Sequence, residues 1–293
     1  MRHAILITAY TDVTQLVNLV GVFDCRFDIY IHIDKKSKFD DTCVPLLRSL
    51  PNVKVVDSVY AVNWGGRNHI DAILWLCQQA MEKSQDVSFF HLISGADYLV
   101  KPVDSFCHFF ENHEKDNFLD YFLVPYKGWE QGGFNRIEFR HPLDRVDIKT
   151  VEGYSVYRRF LNWQIKKGHV RPLPSYEVYG GSTWWSLTRE AVSFIISHHN
   201  WNGLYDRLAD CFVPEEMYIQ TLLLNSEYKS RIVNDNLRYI VWEYRNGNNP
   251  AVLDESDISS ILQSNAFFAR KFDSEKSAKL LSYFANKMSK KKP

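Results

Sequence analysis

Residues 68–97 read NHIDAILWLCQQAMEKSQDVSFFHLISGAD. Ile70, Ile73, Leu74, Cys77 and Met81 fall at helical spacing, which predicts an amphipathic helix over Asn68–Lys83. The run Val87–Ile93 is rich in strand formers and stops at the small-residue turn Ser94-Gly95-Ala96-Asp97. A helix feeding a buried strand is one unit of a parallel sheet. The upstream sequence supplies more of the same pattern. Ala4–Ala9 is a short apolar strand, and Thr11–Gly21 is helical, with Val13, Leu16, Leu19 and Val20 on one side. Phe27–Ile33 alternates as a second strand, and Val53–Val56 is a third. This order predicts an α/β fold, a mostly parallel Rossmann-like sheet flanked by helices. Ligands of such sheets bind at the carboxyl ends of the strands. Those ends are Thr8–Tyr10, Asp34–Lys36 and Ser94–Tyr98.

Downstream, Tyr126–Leu173 is irregular, charged and aromatic, and reads as an insertion carrying a helix over Tyr154–Lys166. Gly180–Leu187 is strand-like, and a helix over Arg189–His198 follows with Thr188 as its N-cap. Pro214–Leu224 reads as a helix with proline at its start. Tyr239–Trp242 reads as a last strand. No repeat or linker divides the chain. A single domain is expected over 1–273, with 274–293 as a C-terminal helix and basic tail.

Composition narrows the function. The 293 residues contain 35 Lys plus Arg against 35 Asp plus Glu, so no electrostatic footprint points to nucleic acid. The five cysteines are scattered and no CxxC occurs, which predicts neither a disulfide framework nor a zinc site. Met1-Arg2-His3 leads straight into a strand, and no apolar run approaches the roughly 20 residues needed to span a bilayer. A cytoplasmic protein is expected. The tail Lys287-Met288-Ser289-Lys290-Lys291-Lys292 is read as a solvated end with at most a weak attraction to an anionic membrane surface.

Four segments carry chemistry beyond packing. Ile31-His32-Ile33-Asp34-Lys35-Lys36 puts a carboxylate at a strand end, where it can accept from a uracil or ribose or be a solvated strand end. Asn63-Trp64-Gly65-Gly66-Arg67 precedes a helix. Paired glycines there allow close backbone approach and an anion at the helix N-terminus, or a plain tight turn. Ser94-Gly95-Ala96-Asp97 ends a strand with a lone acid, and Asp-x-Asp, the usual divalent-metal clamp on a sugar nucleotide, is missing from the chain. Asp97 is a ligand or a turn residue. Pro214-Glu215-Glu216 opens a helix with two acids, which the helix dipole alone also favours.

Read together, these segments resemble the core-2/I-branching β-1,6-N-acetylglucosaminyltransferase family, which also contains the peptide O-xylosyltransferases. The matching pieces are Tyr30–Lys36, Trp64-Gly65-Gly66, Leu92–Tyr98, Gly181–Glu190, Pro214-Glu215-Glu216 and Phe267–Asp273, in the family's order from about Ala4 to Asp273. The resemblance implies a GT-A-like fold and an inverting transfer of a sugar to a glycan hydroxyl. The expected donor is UDP-N-acetylglucosamine, with xylosyl or other hexosyl transfer, or a non-catalytic binding module, as alternatives. It implies no metal or other cofactor. The family's catalytic base falls on Glu216, with Glu215 beside it on the acceptor side. Its metal-replacing lysine falls on Lys271. A second diphosphate-binding arginine falls near Asn248, leaving Arg245 or Arg270 as alternatives. Asp34, Gly65, Gly66, Ser94 and Asp97 fall on the donor side, and Trp242-Glu243-Tyr244 on the acceptor-stacking motif. Animal members carry a membrane anchor and disulfides, so a bacterial-type cytoplasmic member is expected.

Overall fold

The computed structural model describes residues 1–37, 39 and 42–289. Its centre is a seven-stranded sheet. Strands β1 (Arg2–Ala9), β2 (Phe27–Ile33), β3 (Val53–Asp57) and β4 (Val87–Ser94) pair in parallel in the order β4-β1-β2-β3. β5 (Asp97–Leu99) leaves this sheet, and β6 (Asn117–Leu119) rejoins it. β7 (Phe122–Leu123) and β8 (Tyr179–Gly180) form a small ribbon. β9 (Trp185–Thr188) inserts antiparallel between β4 and β6, and β10 (Ile232–Val233) closes the edge beside β6. The sheet is therefore mostly parallel, with antiparallel pairing only at β9.

Period-two alternation gives the sheet two buried faces. Ile5, Ile7, Ile29, Ile31 and Ile93 face one core, covered by helices Val13–Val20, Val103–Glu111 and Ala278–Ser289. Ala4, Leu6, Tyr30, Phe90 and Leu92 face the other, covered by Asn68–Lys83, Arg189–Ser197 and Tyr218–Leu224. The helix Asn68–Lys83 has the predicted bounds, and Ile70, Ile73, Leu76, Cys77 and Ala80 form its buried stripe. Thr188 caps the helix after β9 by accepting from the Ala191 amide, 3.3 Å.

Several sequence expectations change. Gly180–Leu187 is two strands, because Gly181 to Trp184 turn away to meet the acidic turn described below. Pro214–Leu224 is a 3-10 turn (Pro214–Glu216) and a separate helix (Tyr218–Leu224), broken at Met217, whose φ of −128° is not helical. The last strand-like run is β11 (Arg238–Ile240); it stops before Trp242, and β12 (Phe268–Arg270) lies parallel to it. The C-terminal segment carries a helix, Ala278–Ser289, whose Leu280, Leu281 and Phe284 are buried in the first core. The tail lysines Lys290, Lys291 and Lys292 lie outside the described residues.

The small sheet β11-β12-β5 positions the site. β5 pairs antiparallel with β12, which sets Arg270 opposite Asp97 at the carboxyl end of β4. Buried Arg238 of β11 ties the two sheets together. Its guanidinium donates to the carbonyls of Leu92 (3.0 Å) and Trp185 (2.7 Å) and to Ser186 Oγ (2.9 Å). Ser186 Oγ also meets His91 Nδ1 at 2.8 Å, and His91 Nε2 meets His3 Nδ1 at 3.1 Å, so a polar thread crosses an otherwise aromatic core.

Candidate active site

The acidic turn is fixed by backbone bonds from three distant segments. The Val213 amide donates to the Gly65 carbonyl (3.0 Å), the Phe212 amide to Arg136 (2.9 Å), and the Gly181 amide to Glu216 (2.8 Å). Val213, at the entry to Pro214–Glu216, holds a left-handed φ of 51°, unusual for a β-branched residue. Glu215 is buried, with Oε1 3.3 Å from His69 Nδ1; its Oε2 has no partner among the described residues. Glu216 reaches solvent, and its Oε2 accepts from Arg136 Nη1 at 2.8 Å. Burial pushes the Glu216 carboxyl up and neighbouring Glu215 adds to this, while Arg136 opposes it.

The cationic side is built on Asp97. That carboxylate is fully buried; Oδ2 accepts from the Ser94 amide and from Ser94 Oγ (2.7 Å), and Oδ1 lies 3.3 Å from Arg270 Nε. Asp97 and Ser94 thus stand behind Arg270 and hold it, and the Asp97 carboxylate is itself out of contact with solvent. Burial lowers the Arg270 pKa, with Asp97 opposing. Its guanidinium lies over Trp184, 4.1 Å from the ring centroid. The Trp184 ring meets His69 edge to face at 6.3 Å, so a chain of contacts runs from Asp97 through Arg270, Trp184 and His69 to Glu215. Lys271 follows Arg270, and its Nζ lies 3.3 Å from Asn248 Oδ1. Burial, and then the neighbouring Arg270 charge, bring the Lys271 ammonium down to about 8.

Of the two arginine alternatives, Arg245 is committed elsewhere. Its Nη2 donates to both carboxylate oxygens of Asp257 at 2.7 Å, and the guanidinium also pairs with Glu243 and Asp254. Arg270 is the one beside Lys271. The glycines also differ from expectation. A Cβ on Gly66 would lie 2.4 Å from Asp144 Oδ1, and that oxygen accepts from the Asn68 amide at 3.0 Å. The chain's own carboxylate therefore occupies this helix N-terminus. Gly65, at φ 79°, serves the acidic turn through its carbonyl.

Asp34 lies at the carboxyl end of β2, as expected. Its Oδ1 accepts from the amides of Lys36 (2.9 Å) and Val62 (3.0 Å), which tightens that strand end. Trp242 and Tyr244 are 69% and 77% exposed, which excludes a role as core packing. Among the described residues, no helix is long and apolar enough to cross a membrane.

Residues 4–262 match the Core-2/I-Branching enzyme family. The chain belongs to that family. A β-glucuronosyltransferase of Arabidopsis thaliana is 23% identical over 259 residues, 84% of this chain and 55% of the plant protein. A xylosyltransferase of Ciona intestinalis is 25% identical over 270 residues, 83% of this chain and 29% of that protein. The chain thus spans about half the length of the first relative and under a third of the second. Among solved structures, S. aureus TarS 1-349 is 15% identical with a TM-score of 0.41, covering 79% of this chain and 57% of that one.

Within this core-2/I-branching chain, sequence reading missed Arg136, His69 and Asp144. Arg136 lies in the irregular insertion, where no periodicity distinguishes a working side chain from a solvated one. His69 looked like one more residue of an amphipathic helix. Asp144 could be found only by knowing that residues 142–144 cross the Gly65-Gly66 turn.

Proposed function

We propose that this chain is an inverting glycosyltransferase that uses a UDP-sugar and works without a metal ion. The observation that carries this reading is the contact chain Asp97–Arg270–Trp184–His69–Glu215, which joins a cationic pair to an acidic turn. Glu216 is the general base. Its carboxylate takes the acceptor hydroxyl proton while that oxygen bonds to the anomeric carbon. The bond from that carbon to the diphosphate breaks on the opposite face. The charge that develops on the leaving diphosphate meets Lys271 and Arg270, the role a divalent cation fills elsewhere. The acid of the strand-end turn, Asp97, is already paired with a guanidinium, which favours a cationic side-chain clamp over a metal clamp. Asp34 lies on the uridine side, and exposed Trp242 and Tyr244 offer faces to an acceptor sugar.

N-acetylglucosamine is the donor sugar implied by the sequence resemblance. The names of the relatives support glucuronosyl and xylosyl units as alternatives. The test is donor hydrolysis over UDP-N-acetylglucosamine, UDP-glucuronic acid and UDP-xylose, with and without EDTA. Turnover of one donor, unchanged by EDTA, is expected. No turnover of any, or turnover that EDTA abolishes and manganese restores, overturns the reading.

A further inference from the structure

The Glu216 carboxylate is held from one side by a built assembly. Arg136 is tied twice to the acidic turn: its carbonyl accepts from the Phe212 amide at 2.9 Å, and its Nη1 donates to Glu216 Oε2 at 2.8 Å. The guanidinium lies on the face of Trp129, 3.6 Å from the ring centroid, and 5.8 Å from that of Phe212. Trp129 has two seats that only glycine permits. A Cβ on Gly133, whose φ is 93°, would lie 2.5 Å from the indole, and a Cβ on Gly180 would also lie 2.5 Å from it. Gly180 ends β8, and Gly181 follows with its amide on the Glu216 carbonyl. Two glycines thus fix the indole, the indole fixes the guanidinium, and the guanidinium fixes one carboxylate oxygen. The other, Oε1, has no hydrogen-bond partner among the described residues, and the side chain is partly exposed at 26%.

We propose that Arg136 is the positioning residue of Glu216: it holds Oε2 and leaves Oε1 to meet an acceptor hydroxyl. This rests on the reading of Glu216 as the base. Three charged or titratable groups face that carboxylate. Arg136 favours its ionised form, Glu215 opposes it, and His69 favours it when protonated. Burial pushes the carboxyl toward its neutral form, which cannot take a proton, so Arg136 keeps the base ionised as well as aimed.

The test is a carboxyl NMR titration of the full chain carrying glutamate labelled with carbon-13 at Cδ. The Glu216 signal is assigned by its loss in Glu216→Gln. Arg136→Met keeps an apolar stem on Trp129 and removes the charge. Its Glu216 midpoint is expected to rise by about one pH unit or more, the scale of a lost contact ion pair. The acid limb of donor turnover should move up with it, and Arg136→Lys should return most of both. If the methionine variant fails to melt cooperatively, Arg136→Gln replaces it with the same expectation. A Glu216 midpoint equal to wild type in the neutral variant overturns the proposal. The two readings fail separately: a fully active Glu216→Gln removes the base assignment, whereas an inactive Glu216→Gln together with an unmoved Glu216 midpoint in the Arg136 variant removes only the role of Arg136.

Discussion

The Arg270 guanidinium lies 4.1 Å from the ring centroid of Trp184, and the same indole meets His69, which bonds Glu215. One buried side chain therefore joins the cationic and acidic halves of the site. Trp184→Ala should cost about 3–5 kcal/mol of stability, since it opens a cavity and removes the face under a buried cation. Trp184→Phe should recover most of that loss. Urea unfolding of both variants checks this; a loss under 1 kcal/mol in the alanine variant would show that the indole is not a structural bridge.

Lys271 connects the site to pH. Its ammonium is lowered to about 8 by burial and by Arg270, and a bound diphosphate raises it again. UDP binding should therefore take up a proton near pH 8 and weaken as pH rises beyond it. Calorimetry at pH 8.5 in buffers of different ionisation enthalpy reads this directly. Lys271→Ala should abolish the uptake and lower turnover at least about tenfold, because a charge-assisted phosphate contact is worth roughly 1.5–3 kcal/mol. Arginine at that position should rescue in part.

The core carries four buried imidazoles whose neutral form burial favours. His3 is brought down to about 3, His32 and His141 to about 4, and His91 well below its ordinary value. The unfolded chain protonates each near 6.5. Stability is thus fully present above pH 6.5 and is lost as pH falls from there toward the folded values. Between pH 7.5 and pH 5 each imidazole should cost roughly 2 kcal/mol. Urea unfolding at the two pH values should show a fall of several kcal/mol; equal stability would mean these rings are protonated in the folded state.

Much of this was readable from the chain. The helix Asn68–Lys83 and the strand ends at Asp34 and Ser94 follow from apolar periodicity that ends at small or charged residues, a local signal. The site needed more. Valine at 213 gives no hint of a left-handed φ, so the acidic turn looked like an ordinary helix start. β12 is three residues long, too short for any pattern, yet it places Arg270 against Asp97. Gly66 carried a real signal of close approach, but what approaches is Asp144, whose carboxylate accepts from the Asn68 amide 76 residues away.

Asp34 should prove to be a donor contact on the uridine side. Asp34→Ala should weaken UDP binding on the order of tenfold, the loss of a hydrogen bond to a charged group. Asp34→Asn, which keeps an acceptor for the Lys36 and Val62 amides, separates loss of the turn from loss of charge. Calorimetric affinity equal to wild type in both variants would leave Asp34 as a strand-end residue only.

In the proposed mechanism Glu216 takes the acceptor proton. The most direct measurement compares sugar transfer by wild type, Glu216→Gln and Glu215→Gln in EDTA, with UDP affinity measured on the same samples. Glu216→Gln should bind UDP as wild type does and lose about a hundredfold or more in turnover, the scale of lost general-base help, while Glu215→Gln loses less. Near wild-type transfer by Glu216→Gln, or a larger loss in Glu215→Gln, would contradict the account.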